Sequence, residues 1–113
     1  MLKDLGYRRF LTQLQAAVRS NDRARVAALI AYPLRVNVAG QPKYYRNSRS
    51  VQGDYEQIFT LRVRSAILGQ RFEDLFGRDQ GVMIGDGAVW FEHSCHKTAC
   101  SPAGPVRIKA INP

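Results

Sequence analysis

Both cysteines and both histidines of this chain lie in one stretch of eight residues, at His93, Cys95, His96 and Cys100. Thiols and imidazoles bind zinc, and two thiols can instead form a disulfide. Structural zinc sites usually take their ligands in pairs from two segments, whereas these four side chains come from one short run. A Cys95–Cys100 disulfide would close a loop of about six residues and stabilise the fold by about 2 kcal/mol. We therefore predict this disulfide and no metal or cofactor, while free thiols and a metal site stay open as alternatives.

Catalysis is not the favoured interpretation of the chain. Cys95 and His96 are adjacent, and adjacent strand residues point to opposite faces, so the two side chains would not meet. Other side chains suited to acid–base chemistry are found at Asp54, Tyr55, Glu56, Tyr44 and Tyr45. Tyr55 shares a helical apolar stripe with Ile58 and Phe59, which favours a place in the core and leaves the two carboxylates solvated. The sequence therefore favours a protein that is not an enzyme.

The segment 35–49 is the second candidate, because it carries four basic residues, two aromatic residues and no acid. The candidate partner-binding residues are Arg35, Lys43, Tyr44, Tyr45, Arg46 and Arg49. Aromatic side chains among cations can stack bases and neutralise phosphates, but the segment contains no recognised nucleic-acid motif. Tyrosine and arginine are also enriched at the energetic centres of protein interfaces. We therefore predict an acidic or polar protein surface as partner and do not expect nucleic acid; a homodimer stays open.

The net charge of +8 is unevenly distributed. Residues 1–50 hold ten Lys and Arg but two acids, whereas residues 51–113 hold seven of each sign. A basic half of this kind is either a solvated face or a surface for an acidic partner. The length of 113 residues predicts one domain, 1–113. The longest apolar run, residues 26–34, is too short to span a membrane.

The first half of the chain predicts helices. Apolar residues at three- and four-residue spacing predict a helix over 5–19, and Asn21 is predicted to cap a second, shorter helix. That helix must end near Ala31, because Pro33 cannot continue it. A broken helix follows over 51–59 and 61–68, with Thr60 as a second cap.

The remaining segments predict strands. Alternating or β-rich runs are found at 34–38, 43–46, 81–85, 88–92 and 106–110, and the segment 71–77 is a further strand candidate. Asp86-Gly87 between two such runs predicts a hairpin with a tight turn. Trp90 is predicted to lie in the core, since residues 89–91 are all apolar. Helices followed by a meander of strands indicate an α+β fold.

The order of these segments resembles a known family. The resemblance is carried by Tyr-Pro-Leu-Arg-Val at 32–36, Asp-Tyr-Glu-Gln-Ile-Phe-Thr at 54–60, and the runs at 81–91 and 107–112. It covers most of the chain, from about residue 10 to residue 112. The chain resembles small exported proteobacterial proteins of the nuclear transport factor 2-like superfamily.

The resemblance implies an α+β fold with N-terminal helices packed on a curved antiparallel sheet, the cystatin or nuclear transport factor 2-like cone. It implies a periplasmic location, with a leader that this sequence lacks, which agrees with a disulfide. By analogy, a non-catalytic domain of this kind would bind a protein as a secretion-system accessory or toxin-neutralising inhibitor. The alternative is an enzyme or carrier with a small-molecule pocket inside the cone.

Overall fold

The computed structural model describes residues 5–78, 81–93, 95–96, 99–100 and 105–113. Its helices are α1 (Leu5–Arg19), α2 (Arg23–Ala28), α3 (Ser48–Gly53), α4 (Tyr55–Ile58) and α5 (Leu61–Gly69), with a 3-10 turn at Phe72–Asp74. Its strands are β1 (Ile30–Val38), β2 (Gln41–Tyr45), β3 (Phe76–Arg78), β4 (Gly81–Ile84), β5 (Val89–His93), β6 (Cys95–His96), β7 (Ala99–Cys100) and β8 (Val106–Ile111). None of the helices in these ranges is long and apolar enough to cross a membrane.

Six strands form one open sheet in the order β2-β1-β8-β5-β4-β3. Its pairings are antiparallel except that of β1 with β8, which is parallel. The α+β class is therefore confirmed, and the sheet predicted as antiparallel is mostly so, with one parallel pairing that makes it mixed. Strand β8 lies between β1 and β5, parallel to β1 and antiparallel to β5.

The helices pack on one face of this sheet and enclose the core. The apolar stripe of α1 is buried as predicted, and Phe10 contacts Phe91 of β5 with ring centroids 4.8 Å apart. Gln15 joins α1 to the end of α5, because its amide donates to the carbonyls of Ile67 at 2.9 Å and Gln70 at 2.8 Å. These contacts make the helical layer a continuous cover for the inner face of the sheet.

Two predicted helix ends differ from the structure. The residue that caps α2 is Asp22, whose carboxylate accepts from the Arg25 amide at 3.1 Å, and not Asn21. Asn21 instead adopts a left-handed conformation at φ +57°, which asparagine tolerates and which ends α1. Helix α2 also ends at Ala28, because Ile30 already pairs with β8. Thr60 caps α5 as predicted.

The two hairpins of the sheet use different loops. A two-residue turn, Ala39-Gly40, joins β1 to β2, with both residues at positive φ. The predicted β4–β5 hairpin is confirmed, but four residues separate the paired Ile84 and Val89, so the loop is longer than a two-residue Asp-Gly turn. The peptide bond before Pro33 in β1 is cis.

Candidate functional site

The outer face of the six-stranded sheet, opposite the helices, is the candidate site. Side chains alternate between the two faces of a strand. In β1, Leu34 and Val36 are buried against the helices, so Arg35 between them points outward. In β5, Val89 and Phe91 are buried in the same way, and Trp90 points outward.

Strand register aligns one outward residue from each of the six strands. The resulting row, here called the open face, consists of Tyr44, Arg35, Ala110, Trp90, Met83 and Phe76. Tyr44 is 56% exposed and Phe76 is 50% exposed, at the two ends of the row. A line of aromatic and apolar side chains, interrupted by Arg35, therefore crosses the sheet on the side that the helices leave uncovered.

A groove of about 680 Å³ lies along the open face. It is lined by Arg35, Tyr44, Met83, Asp86, Trp90, Lys109 and Ala110. Ala110 pairs with Arg35 on one side and with Trp90 on the other. A methyl side chain between two long ones leaves a depression, so Ala110 forms the floor of the groove and is 1% exposed.

A β-bulge brings a second cation to this groove. The register of β5 with β8 shifts by one residue, because Phe91 pairs with Ile108 but Trp90 pairs with Ala110. Lys109 is the extra residue of β8, and such bulges redirect side chains. Lys109 and Ala110 consequently both line the groove, although neighbouring strand residues normally face opposite ways.

The charged groups around the groove are unequally paired. The Lys109 ammonium lies 2.8 Å from the carboxylate of Glu92, within hydrogen-bond distance. Asp86 lies at the rim, 95% exposed, with its carboxylate 3.9 Å from the Arg62 guanidinium. Arg35 makes no ion pair or hydrogen bond within the described part of the chain. The groove therefore carries one cation that is available to a ligand.

The predicted partner-binding residues divide between different surfaces. Arg35 and Tyr44 are cross-strand partners on the open face. Tyr45 is 6% exposed on the opposite side of β2, and its hydroxyl donates to Asp54 at 2.8 Å. Lys43 stays with Tyr45, its ammonium 5.1 Å from the ring centroid and 3.6 Å from the Asp54 carboxylate.

Arg46 and Arg49 complete the predicted set. Arg46 directly follows β2, and Arg49 lies in the first turn of α3; both are exposed. Neither lines the groove. Of the six predicted residues, the structure therefore brings two together on the open face.

Of the candidate acid–base residues, Tyr44 lines the groove, and Asp54, Tyr55, Glu56 and Tyr45 do not. The Asp54 carboxylate accepts from Tyr45, as described above. Glu56 is exposed, with its carboxylate 3.5 Å from the Arg23 guanidinium. Tyr55 is 1% exposed and stacks on Phe59 with centroids 5.0 Å apart, which confirms its predicted place in the core.

Strands β6 and β7 form a separate two-stranded hairpin that contains both cysteines. Their backbones pair in antiparallel register, with Cys95 opposite Cys100 and His96 opposite Ala99. The side chains of these four residues lie outside those that the structure describes, so the disulfide, thiol and metal alternatives stay untested. Among the described side chains, no group of three or more His, Cys, Asp or Glu could hold a metal ion.

The sequence analysis missed the central residues of the groove. The prediction that Trp90 lies in the core is wrong, because Trp90 is only partly buried and lines the groove. The signal was present in the period of two: if Val89 and Phe91 face the core, the residue between them faces out. Met83 of β4 pairs with Trp90 of β5, and Ala110 of β8 pairs with it on the other side. Only the strand register shows that these two residues lie beside Trp90.

Scans of this chain against protein-family models, curated proteins and solved structures each find no match. The assignment of the site therefore depends on the chain's own geometry. That geometry consists of a sheet face that the helices leave uncovered, a groove with an apolar floor, and an arginine that has no counter-ion among the described residues.

Proposed function

We propose that this protein is a non-catalytic binding domain that recognises another protein through its open face. The observation that supports this most is the row across the uncovered side of the sheet, with Tyr44 and Phe76 half exposed at its ends. Tyrosine, tryptophan, methionine and arginine are the residue types enriched in protein interfaces. Exposed apolar side chains that form a contiguous patch commonly mark an interaction site.

The chemistry of the groove also favours binding over catalysis. Acid–base catalysis needs a carboxylate or similar group held in an environment that tunes its protonation. Asp86, the acid that lines the groove, has a nearly fully exposed side chain. The other groove residues supply donors and an apolar surface, which can hold a ligand but do not by themselves transform one.

A small-molecule carrier is the second candidate. The observation in its favour is the groove volume, about 680 Å³, which falls within the range of small-ligand pockets. Such pockets usually enclose most of their ligand, whereas this groove opens along the outer face of the sheet. The protein-binding function is therefore the better supported of the two.

Photo-crosslinking from two exposed positions separates these candidates. Benzoylphenylalanine replaces Tyr44 on the open face or Leu68, a 40% exposed residue of α5, as the control. We expect a protein adduct from position 44 alone, identified by mass spectrometry and then reconstituted from two purified proteins. The reconstituted complex should be lost in Tyr44→Ala. No adduct from position 44, together with a small molecule that co-purifies with the native protein, would support the carrier instead.

The proposal includes a periplasmic location and a Cys95–Cys100 disulfide. It is supported by the β6–β7 register, which places the two cysteine backbones opposite one another. Directly opposed residues of an antiparallel pair have the backbone separation that a disulfide needs. The intact mass without reductant should be lighter by two hydrogens than after reduction. A full-thiol mass that gains a metal under native conditions would contradict the disulfide.

The family resemblance narrows the proposal further. Helices, a hairpin, further helices and a meander over an open mixed sheet are compatible with the nuclear transport factor 2-like superfamily. Within it, a secretion-system accessory or toxin-neutralising inhibitor would use a surface such as the open face. The identity of the cross-linked partner tests this narrower assignment directly.

A further inference from the structure

We infer that the open face binds an acidic segment of its partner, with an apolar side chain in the groove and a neighbouring carboxylate on Arg35. The inference rests on the proposed function, because it names the partner chemistry of the same surface. It combines two properties of the groove, an apolar floor and an unpaired guanidinium.

The floor determines the apolar part of the ligand. Ala110 lies at the bottom between Arg35 and Trp90, and Met83 lies on the far side of the indole as its cross-strand partner. Among the described residues, Trp90 contacts no other aromatic ring or cation. Methionine adapts its shape to a partner, and an indole provides a large contact area. We therefore place a leucine-sized side chain of the ligand over Ala110, against the indole of Trp90.

The charges determine the polar part of the ligand. Lys109 is already neutralised by Glu92 at 2.8 Å, so Arg35 is the groove cation left without a counter-ion in the described part of the chain. A guanidinium binds a carboxylate through two parallel hydrogen bonds. The net charge of +8 would also speed encounter with an acidic partner.

Two other occupants fit this surface less well. A nucleic-acid strand needs a series of cations along its phosphates, whereas this groove has one unpaired cation and carries Asp86 at its rim. A second copy of the chain would face its own surface in a two-fold dimer. That arrangement would bring two copies of the unpaired Arg35 into one interface.

Trp90 is the single tryptophan of the chain, so its fluorescence reports occupancy of the groove. The probe is an acetylated peptide of about ten residues that alternates glutamate with leucine. Two control peptides replace every glutamate by glutamine or every leucine by serine. A single-stranded oligothymidine of similar length is the competing probe, and sedimentation of the protein alone reports self-association.

Two variants with the same change of net charge test the role of Arg35. Arg35→Gln removes the guanidinium of the groove, and Arg9→Gln removes an exposed one from α1 on the helical side. We expect the glutamate–leucine peptide to shift Trp90 emission and to bind about tenfold more tightly than either control peptide. Its Kd should rise about tenfold in Arg35→Gln, the loss expected for one charge-assisted contact, and less than about twofold in Arg9→Gln.

Three results would overturn the inference. The first is a Kd for the glutamine peptide equal to that for the glutamate peptide. The second is an equal rise in Kd in Arg35→Gln and Arg9→Gln. The third is tighter binding of oligothymidine than of the peptide, or a dimer that blocks the groove. If no peptide binds but the adduct from position 44 identifies a protein, the acidic chemistry is wrong and the proposed function stands. If position 44 also captures no protein, both fail.

Discussion

At the scale of single residues, two buried tyrosines differ in one contact. The Tyr45 hydroxyl donates to Asp54 at 2.8 Å, whereas the buried hydroxyl of Tyr55 has no hydrogen-bond partner among the residues that the structure describes. A buried polar group without a hydrogen-bond partner destabilises the folded state. Removing one member of an existing hydrogen bond also destabilises it, because the other member is left without a partner. We therefore predict that Tyr55→Phe raises the free energy of unfolding by about 1 kcal/mol and Tyr45→Phe lowers it by about 1 kcal/mol.

Urea denaturation of the two variants beside the parent protein measures both values under one condition. Because each variant loses the same oxygen atom, the opposite signs isolate the hydrogen bond from the change in side-chain size. A loss of stability in Tyr55→Phe similar to that in Tyr45→Phe would show that the Tyr55 hydroxyl has a partner.

These tyrosines also show what the sequence could predict at this scale. The stripe that Tyr55 shares with Ile58 placed it in the core correctly, since that pattern is local. Tyr45 was grouped with Tyr44 because the two are adjacent, and its partner Asp54 lies nine residues later, beyond α3. The Tyr45–Asp54 contact depends on how α3 packs beside β2, and no local sequence pattern predicts that packing.

At the scale of elements, the β1–β2 turn is the most informative. Ala39 has φ +52° and Gly40 has φ +79°, the combination of a tight hairpin turn in which Asn-Gly is preferred. Alanine resists this conformation and asparagine tolerates it. We predict that Ala39→Asn raises the free energy of unfolding by about 0.5–1 kcal/mol, and that Gly40→Ala lowers it by about 1–2 kcal/mol.

Thermal and urea unfolding of the two variants check this prediction. A Cβ at Gly40 would meet no atom within 4 Å, so a loss there would report backbone conformation and not a steric clash. Unchanged stability in Gly40→Ala would mean that the turn does not require positive φ at that residue.

Some helix bounds could be predicted from local sequence, whereas the pairing of distant strands could not. Helix α1 was predicted at its observed ends because its apolar stripe is local and Asn21, which ends it, follows within two residues. The parallel pairing of β1 with β8 joins residues 75 to 78 positions apart, and no local pattern specifies it. The groove depends on that pairing, because Ala110 reaches Arg35 through it. Sequence reasoning therefore predicted most of the elements and named Arg35 and Tyr44 as candidates, but it could not place them beside Ala110.

At the scale of the whole molecule, buried phenols limit stability at alkaline pH. Burial raises the pKa of Tyr32, Tyr45 and Tyr55 above the ordinary value of 10.0. The hydrogen bond to Asp54 raises the pKa of Tyr45 further, while Arg64 and Arg23 partly oppose the effect of burial on Tyr55. The folded protein therefore keeps protons that the unfolded chain releases above about pH 10.

The sign of the effect follows from proton linkage. Stability changes with pH in proportion to the protons bound by the unfolded state minus those bound by the native state. Below about pH 10 both states hold the phenolic protons, so this contribution is fully present. As the pH rises through the folded-state pKa values, the unfolded state binds fewer protons and the contribution is lost.

We therefore predict that the contribution of these phenols to the free energy of unfolding is constant up to about pH 9 and falls above pH 10. Urea denaturation at stepped pH measures the loss, and tyrosinate absorbance follows the ionisation. Salt at about 0.5 M screens the changing net charge, and the difference between the parent protein and a tyrosine variant isolates the contribution of the phenol. The matched variant is Tyr55→Phe, whose stability should decline less steeply because one of the three groups is gone. Complete tyrosinate formation near pH 10 with the fold intact would contradict the prediction, since it would mean that the fold does not hold these protons.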